Sequence, residues 1–476
     1  MFAMIRMMDM GLKSRTLMMR AISLSLCGSG MMGGAQFVQA QTLLQRSSYA
    51  VEAVHNTPHS SPSLRDDLYT NETVQNMMRA LADMREKNNE RLIHLTEIAA
   101  PPFEEQARAL ALMQAFKDLG LGDARLDGEG NLLVRRVGTG EEGTGKEGTG
   151  KEGKGEARTI AVVAHIDTVF PRETDVSVRR EGDIYYAPGI GDNSRGLVAM
   201  LALAEVLQTH QIKTQDDILF VGSVGEEGLG DLRGVRHLFG EDGEKIDSFI
   251  AIDGGANDRL VVAAVGSNRY RVSFEGPGGH SYGHFGRAHP HQALARAISL
   301  FYERATPITQ TGPRATFSVG RIGGGTSINS IPFTSWMEVD MRSVNAEKLG
   351  ELDAAFHASI EAALQAENEA RRHGEALRVE VKSVGRRPAG ESSPGSSLVR
   401  HAVGALNYLG FDPQFVASST DANIPISLGV PSVTMARGGR SQNAHAPNES
   451  WEDVDAHIAL QALLLTVLAE ADAQFK

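Results

Sequence analysis

Thr159-Ile160-Ala161-Val162-Val163-Ala164-His165-Ile166-Asp167 is an apolar run of strand length that ends in an imidazole and a carboxylate two residues apart. A continuous run of this kind reads as a strand covered on both faces, the habit of parallel sheets flanked by helices. His165 and Asp167 then leave its end in the same direction, because alternate side chains share a face. A neutral imidazole is a good metal ligand, and a carboxylate beside it can accept the other ring N–H and fix the tautomer. The plain alternative is a strand-end histidine satisfied by its neighbour.

The pattern recurs downstream. Gly189-Ile190-Gly191-Asp192-Asn193-Ser194-Arg195-Gly196 stands directly before an apolar helical stretch at 196–208. Asp192 could cap that region, or with two oxygens could bridge two cations. A strand at 217–223 delivers Gly225-Glu226-Glu227-Gly228, and one at 249–252 delivers Asp253-Gly254-Gly255. Adjacent carboxylates repel, so burying both at a strand end is costly unless a cation compensates one of them. One of the pair would ligate metal, and its neighbour, facing the bound water, would be the general base. Asn443-Ala444-His445-Ala446-Pro447-Asn448-Glu449 adds a histidine in a loop before a final helix. Alternating strands and helices make the fold α/β, a mainly parallel sheet with helices on both faces. In such open sheets ligands gather at the carboxyl ends of strands, where these candidates fall.

The 476 residues are 41% hydrophobic and 22% charged, enough for two or more domains with substantial cores. A formal charge of -12 with no basic cluster argues against nucleic acid and against docking on an anionic membrane. Arg6, Lys13, Arg15 and Arg20 precede a mostly apolar or small stretch at 21–38, and Val38-Gln39-Ala40 supplies a small-residue cleavage site. Residues 1–40 therefore read as a signal peptide, which places the protein in the periplasm or outside the cell and leaves no integral membrane segment after its removal. Cys27 is the only cysteine, so the mature chain would have no disulfide, thiolate nucleophile or cysteine-bound zinc.

Residues 41–71 are a flexible lead-in. A helical pattern covers 71–98, a second helix 103–119, and a strand begins at Leu132. Gly-Thr-Gly-Glu/Lys-Glu repeats across 138–155 mark a low-complexity surface loop within 138–157. The catalytic domain is expected to occupy 72–265 and 385–476. Between them, 266–384 reads as an inserted α+β domain, with antiparallel strands such as 270–274 and 336–341 and helices at 291–304 and 346–372.

The order His165-x-Asp167, Asp192, Glu226-Glu227, Asp253, His445 resembles the M20 family of dinuclear zinc peptidases and deacylases, on its peptidase T-like side. The resemblance covers residues 72–476 apart from the repeat loop. It implies two divalent ions, Zn2+ or alternatively Mn2+ or Co2+. His165, Asp192 and Asp253 would hold one ion, and Asp192, Glu227 and His445 the other. Asp167 would orient His165, and Glu226 would be the base. The inserted domain would be a lid through which the chain forms a homodimer. His280, in Gly276-Pro277-Gly278-Gly279-His280-Ser281, would reach the partner's site and stabilise the oxyanion. Asn329, Arg342 and Gly438 would contact substrate, with Arg342 pairing a substrate carboxylate. Ser281 to Arg287 departs from the family pattern ahead of Pro290, and His284 and His289 read as lid surface. Asp253 rather than Glu points to an exopeptidase acting on short peptides from the amino end. The alternatives are an N-acyl amino acid deacylase and a non-catalytic peptide-binding relative.

Overall fold

In this computed structural model, residues 65–140 and 157–475 are described. The expected signal peptide, most of the lead-in and most of the repeat loop lie outside them. Among the described residues, no helix is long and apolar enough to cross a membrane.

The strand Thr159–His165 is buried along its whole length. It pairs in parallel with Asp217–Ser223 on one side and Ser248–Ile252 on the other, and Ser432–Met435 continues the parallel run beyond Ser248–Ile252. The margins are antiparallel: Ala124–Leu126 and Leu132–Arg136 extend one side, while Arg259–Ala264 joins Ser432–Met435 on the other. Alternation decides which face each side chain serves. Ile160, Val162, Ile218 and Phe220 enter one apolar cluster, and Ala161, Val163, Leu219 and Val221 enter another on the opposite face. Burying each of the larger aliphatic chains contributes roughly 1.5–3 kcal/mol. The helix Gly196–Thr209 lies inside the first cluster, buried from Gly196 to Ala204, so its start is held rigidly under the sheet's carboxyl edge.

The expected single helical pattern at 71–98 is two helices, Glu72–Asp83 and Arg85–Thr96, broken at Met84. Asn71 caps the first by accepting from the Thr73 and Val74 N–H groups. Arg85, at the break, pairs with Asp183 and Asp453, contacts that a 3.6-residue period cannot reveal.

The inserted unit is a four-stranded antiparallel sheet in the order Ala315–Gly324, Thr334–Ser343, Gly266–Glu275, Arg378–Arg387. The helices Pro290–Thr309 and Ala346–Ala370 pack on it around Phe274, Phe301, Met337 and Phe356. Thr334–Ser343 alternates buried and partly exposed residues as a half-covered strand should. Ala315–Gly324 is an edge strand, with Ile322 exposed. The last strand runs through Arg387, so its final residues reach back to the central sheet.

Candidate metal centre

His165 ends its strand with only 2% of its surface exposed. Its Nδ1 donates to the backbone oxygen of Asp167 at 3.0 Å, since a carbonyl can only accept. Nε2 is then directed toward Asp192 Oδ1, 3.3 Å away, buried and without a hydrogen bond. The expected orientation of His165 by the Asp167 carboxylate is thus supplied by the Asp167 main chain, with Oδ1 further off at 3.7 Å. The carboxylate is occupied by the Glu226 N–H at 3.0 Å and the Glu227 N–H at 2.8 Å. Asp167 therefore positions the Glu226-Glu227 turn as much as the imidazole. Buried Arg108 braces the same bend by donating to the Ile166 carbonyl at 2.9 Å.

Asp192 lies at the centre. Its Oδ1 faces His165 and its Oδ2 lies 3.2 Å from His445 Nε2, which is also 2.9 Å from Glu227 Oε1. His165, Asp192 and Glu227 offer ligand atoms all within 4.8 Å of one another. A buried imidazole nitrogen without a partner, facing converging carboxylates, fits a divalent cation. The loop carrying Asp192 is anchored by buried Glu449, which accepts from the N–H groups of Gly189, Gly191 and Asp192 at 2.9, 3.0 and 2.9 Å. His445 adopts φ 65°, a left-handed conformation costly for a residue with a Cβ, and is the exposed member of the set.

The electrostatics favour added positive charge. Burial opposes a charged His165, yet Asp167 and Asp192 raise it well above the usual imidazole value. Hydrogen bonds to Asp192 and Glu227 push His445 up to about 10. Burial raises Asp253, reinforced by the neighbouring Asp192 charge. Burial likewise pushes Asp421 up to about 6, and Glu449 up to about 7 against the N–H groups that favour its ionised form.

Glu226 and Glu227 diverge. Glu227 turns to His445, while Glu226 Oε1 accepts from Arg387 Nη1 at 2.8 Å and its backbone oxygen accepts from Arg387 Nη2. Ser419 Oγ takes a further bond from Arg387 at 2.9 Å. Burial holds the Glu226 carboxyl well above the ordinary range, with Glu227 adding to the shift and Arg387 opposing it.

Asp253 is brought to the centre by a residue the sequence reading did not single out. Arg437 Nη1 lies 3.2 Å from Asp253 Oδ1 and 3.1 Å from Asp192 Oδ1. Asp421 is buried with Oδ2 2.5 Å from Ser223 Oγ and Oδ1 unpartnered. Arg387 ends the strand Arg378–Arg387 and Arg437 follows Ser432–Met435, but an arginine is not a metal ligand and so carries no signal there, while Arg108 lies within a helix.

The remaining candidates sit apart from this cluster. His280 is exposed at the tip of the inserted domain, its Nδ1 accepting from the Tyr282 and Gly283 N–H groups. The Gly279–His280 strand pairs with Ser330–Ile331, which sets Asn329 beside it. His284 Nδ1 accepts the His280 N–H at 2.9 Å, and Tyr282 and Phe285 are exposed, in keeping with lid surface. Arg342 pairs with Asp340 at 2.7 Å and lies opposite Ser267, at the other end of the lid sheet. Gly438 is buried, at φ 84°, with its carbonyl accepting from Trp451 Nε1 at 2.8 Å. A Cβ there would stand 2.3 Å from the Ala456 oxygen, so close packing accounts for this glycine.

Residues 161–470 match the family model described as peptidase family M20/M25/M40. The fold is similar to that of aminopeptidase PepT from Bacillus cereus, with 23% identity, TM-score 0.62, and 81% of this chain and 98% of that chain covered. A tripeptidase from Staphylococcus aureus superposes with 21% identity, TM-score 0.61 and coverages of 81% and 98%. A hydantoinase/carbamoylase family amidase from Burkholderia vietnamiensis does so with 17% identity, TM-score 0.57 and coverages of 81% and 97%. No curated protein sequence matches the chain.

Proposed function

Since the chain belongs to peptidase family M20/M25/M40, whose members are hydrolases acting on peptide or amide bonds, we propose that it is a metal-dependent exopeptidase that removes residues from the amino end of short peptides. The observation that carries this reading is the convergence of His165, Asp192, Glu227 and His445 beside a buried Glu226. His165, Asp192, Asp253, Glu227 and His445 supply ligand atoms for up to two ions sharing Asp192, with zinc favoured by the mixed imidazole and carboxylate set. When bound, the metal polarises the scissile carbonyl and acidifies water.

Glu226 takes the proton of the attacking water and passes it to the leaving amine, so no covalent intermediate is formed. Arg387, whose Nη1 also donates to Ser419 Oγ, holds its carboxylate in place between the two transfers. His280 and Asn329, exposed together at the lid tip, complete the site of a partner subunit. The exposed edge strand Ala315–Gly324 and the exposed Ile328 and Phe333 beside the tip support pairing through the lid. Export rests on the basic and apolar run before Ala40.

Metal-loaded enzyme assayed on free-amine di- and tripeptides beside their N-acylated counterparts tests the substrate assignment. Cleavage of the free-amine set and little of the acylated set is expected. The reverse preference would move the protein to the deacylases, a reading against which Asp253 stands.

A further inference from the structure

Arg437 is buried at 4% exposure inside the cluster of candidate metal ligands. A single nitrogen, Nη1, touches Asp192 Oδ1 at 3.1 Å, Asp253 Oδ1 at 3.2 Å and Asn193 Oδ1 at 3.5 Å. Its Nε is buried without a partner. The guanidinium therefore makes the contacts of a cation shared by two carboxylates, on the side of the site that Asp253 serves. The compact group of His165, Asp192 and Glu227, by contrast, leaves Asp253 out.

We propose that Arg437 is a built-in competitor for metal at Asp253, so that the chain binds one divalent ion tightly among His165, Asp192, Glu227 and His445, and a second, which needs Asp253, only weakly. The inference rests on the metal-dependent reading of the site.

Charge balance argues for it. Asp192, Glu227 and Asp253 carry three negative charges, which one divalent ion and one guanidinium neutralise, while Arg259 beside Asp253 and Glu449 beside Arg437 offset one another. Two divalent ions beside a retained Arg437 would leave an excess of positive charge in a buried setting, where such repulsion is weakly screened. Glu226 does not relieve the excess, because it already pairs with Arg387.

The backbone gives Arg437 little room to withdraw. Its N–H approaches the Gly254 oxygen at 3.4 Å, and Gly438 behind it is tied to Trp451 and packed on Ala456. A second ion must therefore drive the side chain to another rotamer, away from both carboxylates, in a pocket where Nε already lacks an acceptor. Guanidinium, unlike a carboxylate or a neutral side chain, stays charged at any working pH, so the competition is permanent.

The test is metal stoichiometry and affinity in the full chain, stripped with a chelator, titrated with Zn2+ by calorimetry, desalted and analysed for zinc. Wild type is expected to retain about one ion per chain and to show two Kd values separated by at least about 100-fold. Arg437→Met should retain about two, and adding Asp253→Asn to it should return the count to about one. Two ions of equal affinity in wild type would overturn the proposal, and this needs no variant to fold. A folded Arg437→Met protein that still holds one ion would overturn it as well, with circular dichroism confirming the fold. No retained ion in wild type would instead overturn the metal-dependent reading beneath it.

Discussion

Glu226 and Glu227 share a peptide bond and little else. Asp167 binds both of their N–H groups, one carboxylate is directed to His445 and the other to Arg387, so repulsion between them is offset by two separate cationic partners. This division makes a prediction for the base. Glu226→Gln keeps the shape and the contact with Arg387 but cannot accept the proton, and kcat should fall by about 10²–10⁴-fold. Zinc content by elemental analysis should be unchanged. A variant with wild-type kcat would remove Glu226 from the role of base. The residues of this site were legible in the sequence to the extent that each ends a strand or sits in a glycine-flanked turn: His165, Asp192, Glu226, Glu227 and Asp253 all do. Arg387 and Arg437 were not legible, because their partners are 161, 184 and 245 residues away and nothing local marks an arginine as buried.

At the scale of elements, the final helix Ala456–Glu470 does more than cover the sheet. Its last residue, Glu470, is 1% exposed and gathers Ser248 Oγ at 2.7 Å, His401 Nδ1 at 2.7 Å and Arg158 Nη1 at 3.3 Å, joining three separate segments. Burial would raise its carboxyl, but the His401 hydrogen bond leads the effects that hold it below the unfolded value of 4.5. A depressed carboxyl adds stability that is complete above about pH 4.5 and disappears as pH falls through the lower folded value. Glu470→Ala should lose about 3–5 kcal/mol of unfolding free energy at neutral pH, by urea denaturation. Its stability should also fall less steeply below about pH 4.5 than that of wild type. Equal acid slopes in the two proteins would contradict the assignment. Helix and strand positions were largely readable from apolar period, as in Asp217–Ser223, whereas the break at Met84 depends on where Arg85 finds its acids.

At the scale of the molecule, the inserted unit has two ends set far apart. Arg342 and Arg387 both lie opposite Ser267, near the central sheet, whereas His280 and Asn329 are at the far tip. Eight residues separate Thr334 from Arg342 along one strand, roughly 26 Å at ~3.3 Å per residue, so the tip is remote from the base of the lid. If His280 serves a partner's site, co-expressing His280→Ala with His445→Ala should restore activity that neither homodimer has. Random pairing would give roughly a quarter of the wild-type rate, since half the dimers are mixed and each has one complete site. No recovery in purified mixed dimers would rule out action in trans. The sequence by itself determined the α/β class, the inserted antiparallel unit and the candidate metal-binding side chains, because strand burial, helix period and strand-end chemistry are all local properties. Tertiary structure alone decided that Asp167 holds a turn as well as a histidine, that Arg387 meets Glu226, and that a guanidinium bridges Asp192 and Asp253. Those facts depend on which distant segments share one low-dielectric space, and charge compensation there is settled by proximity in three dimensions rather than by neighbours along the chain.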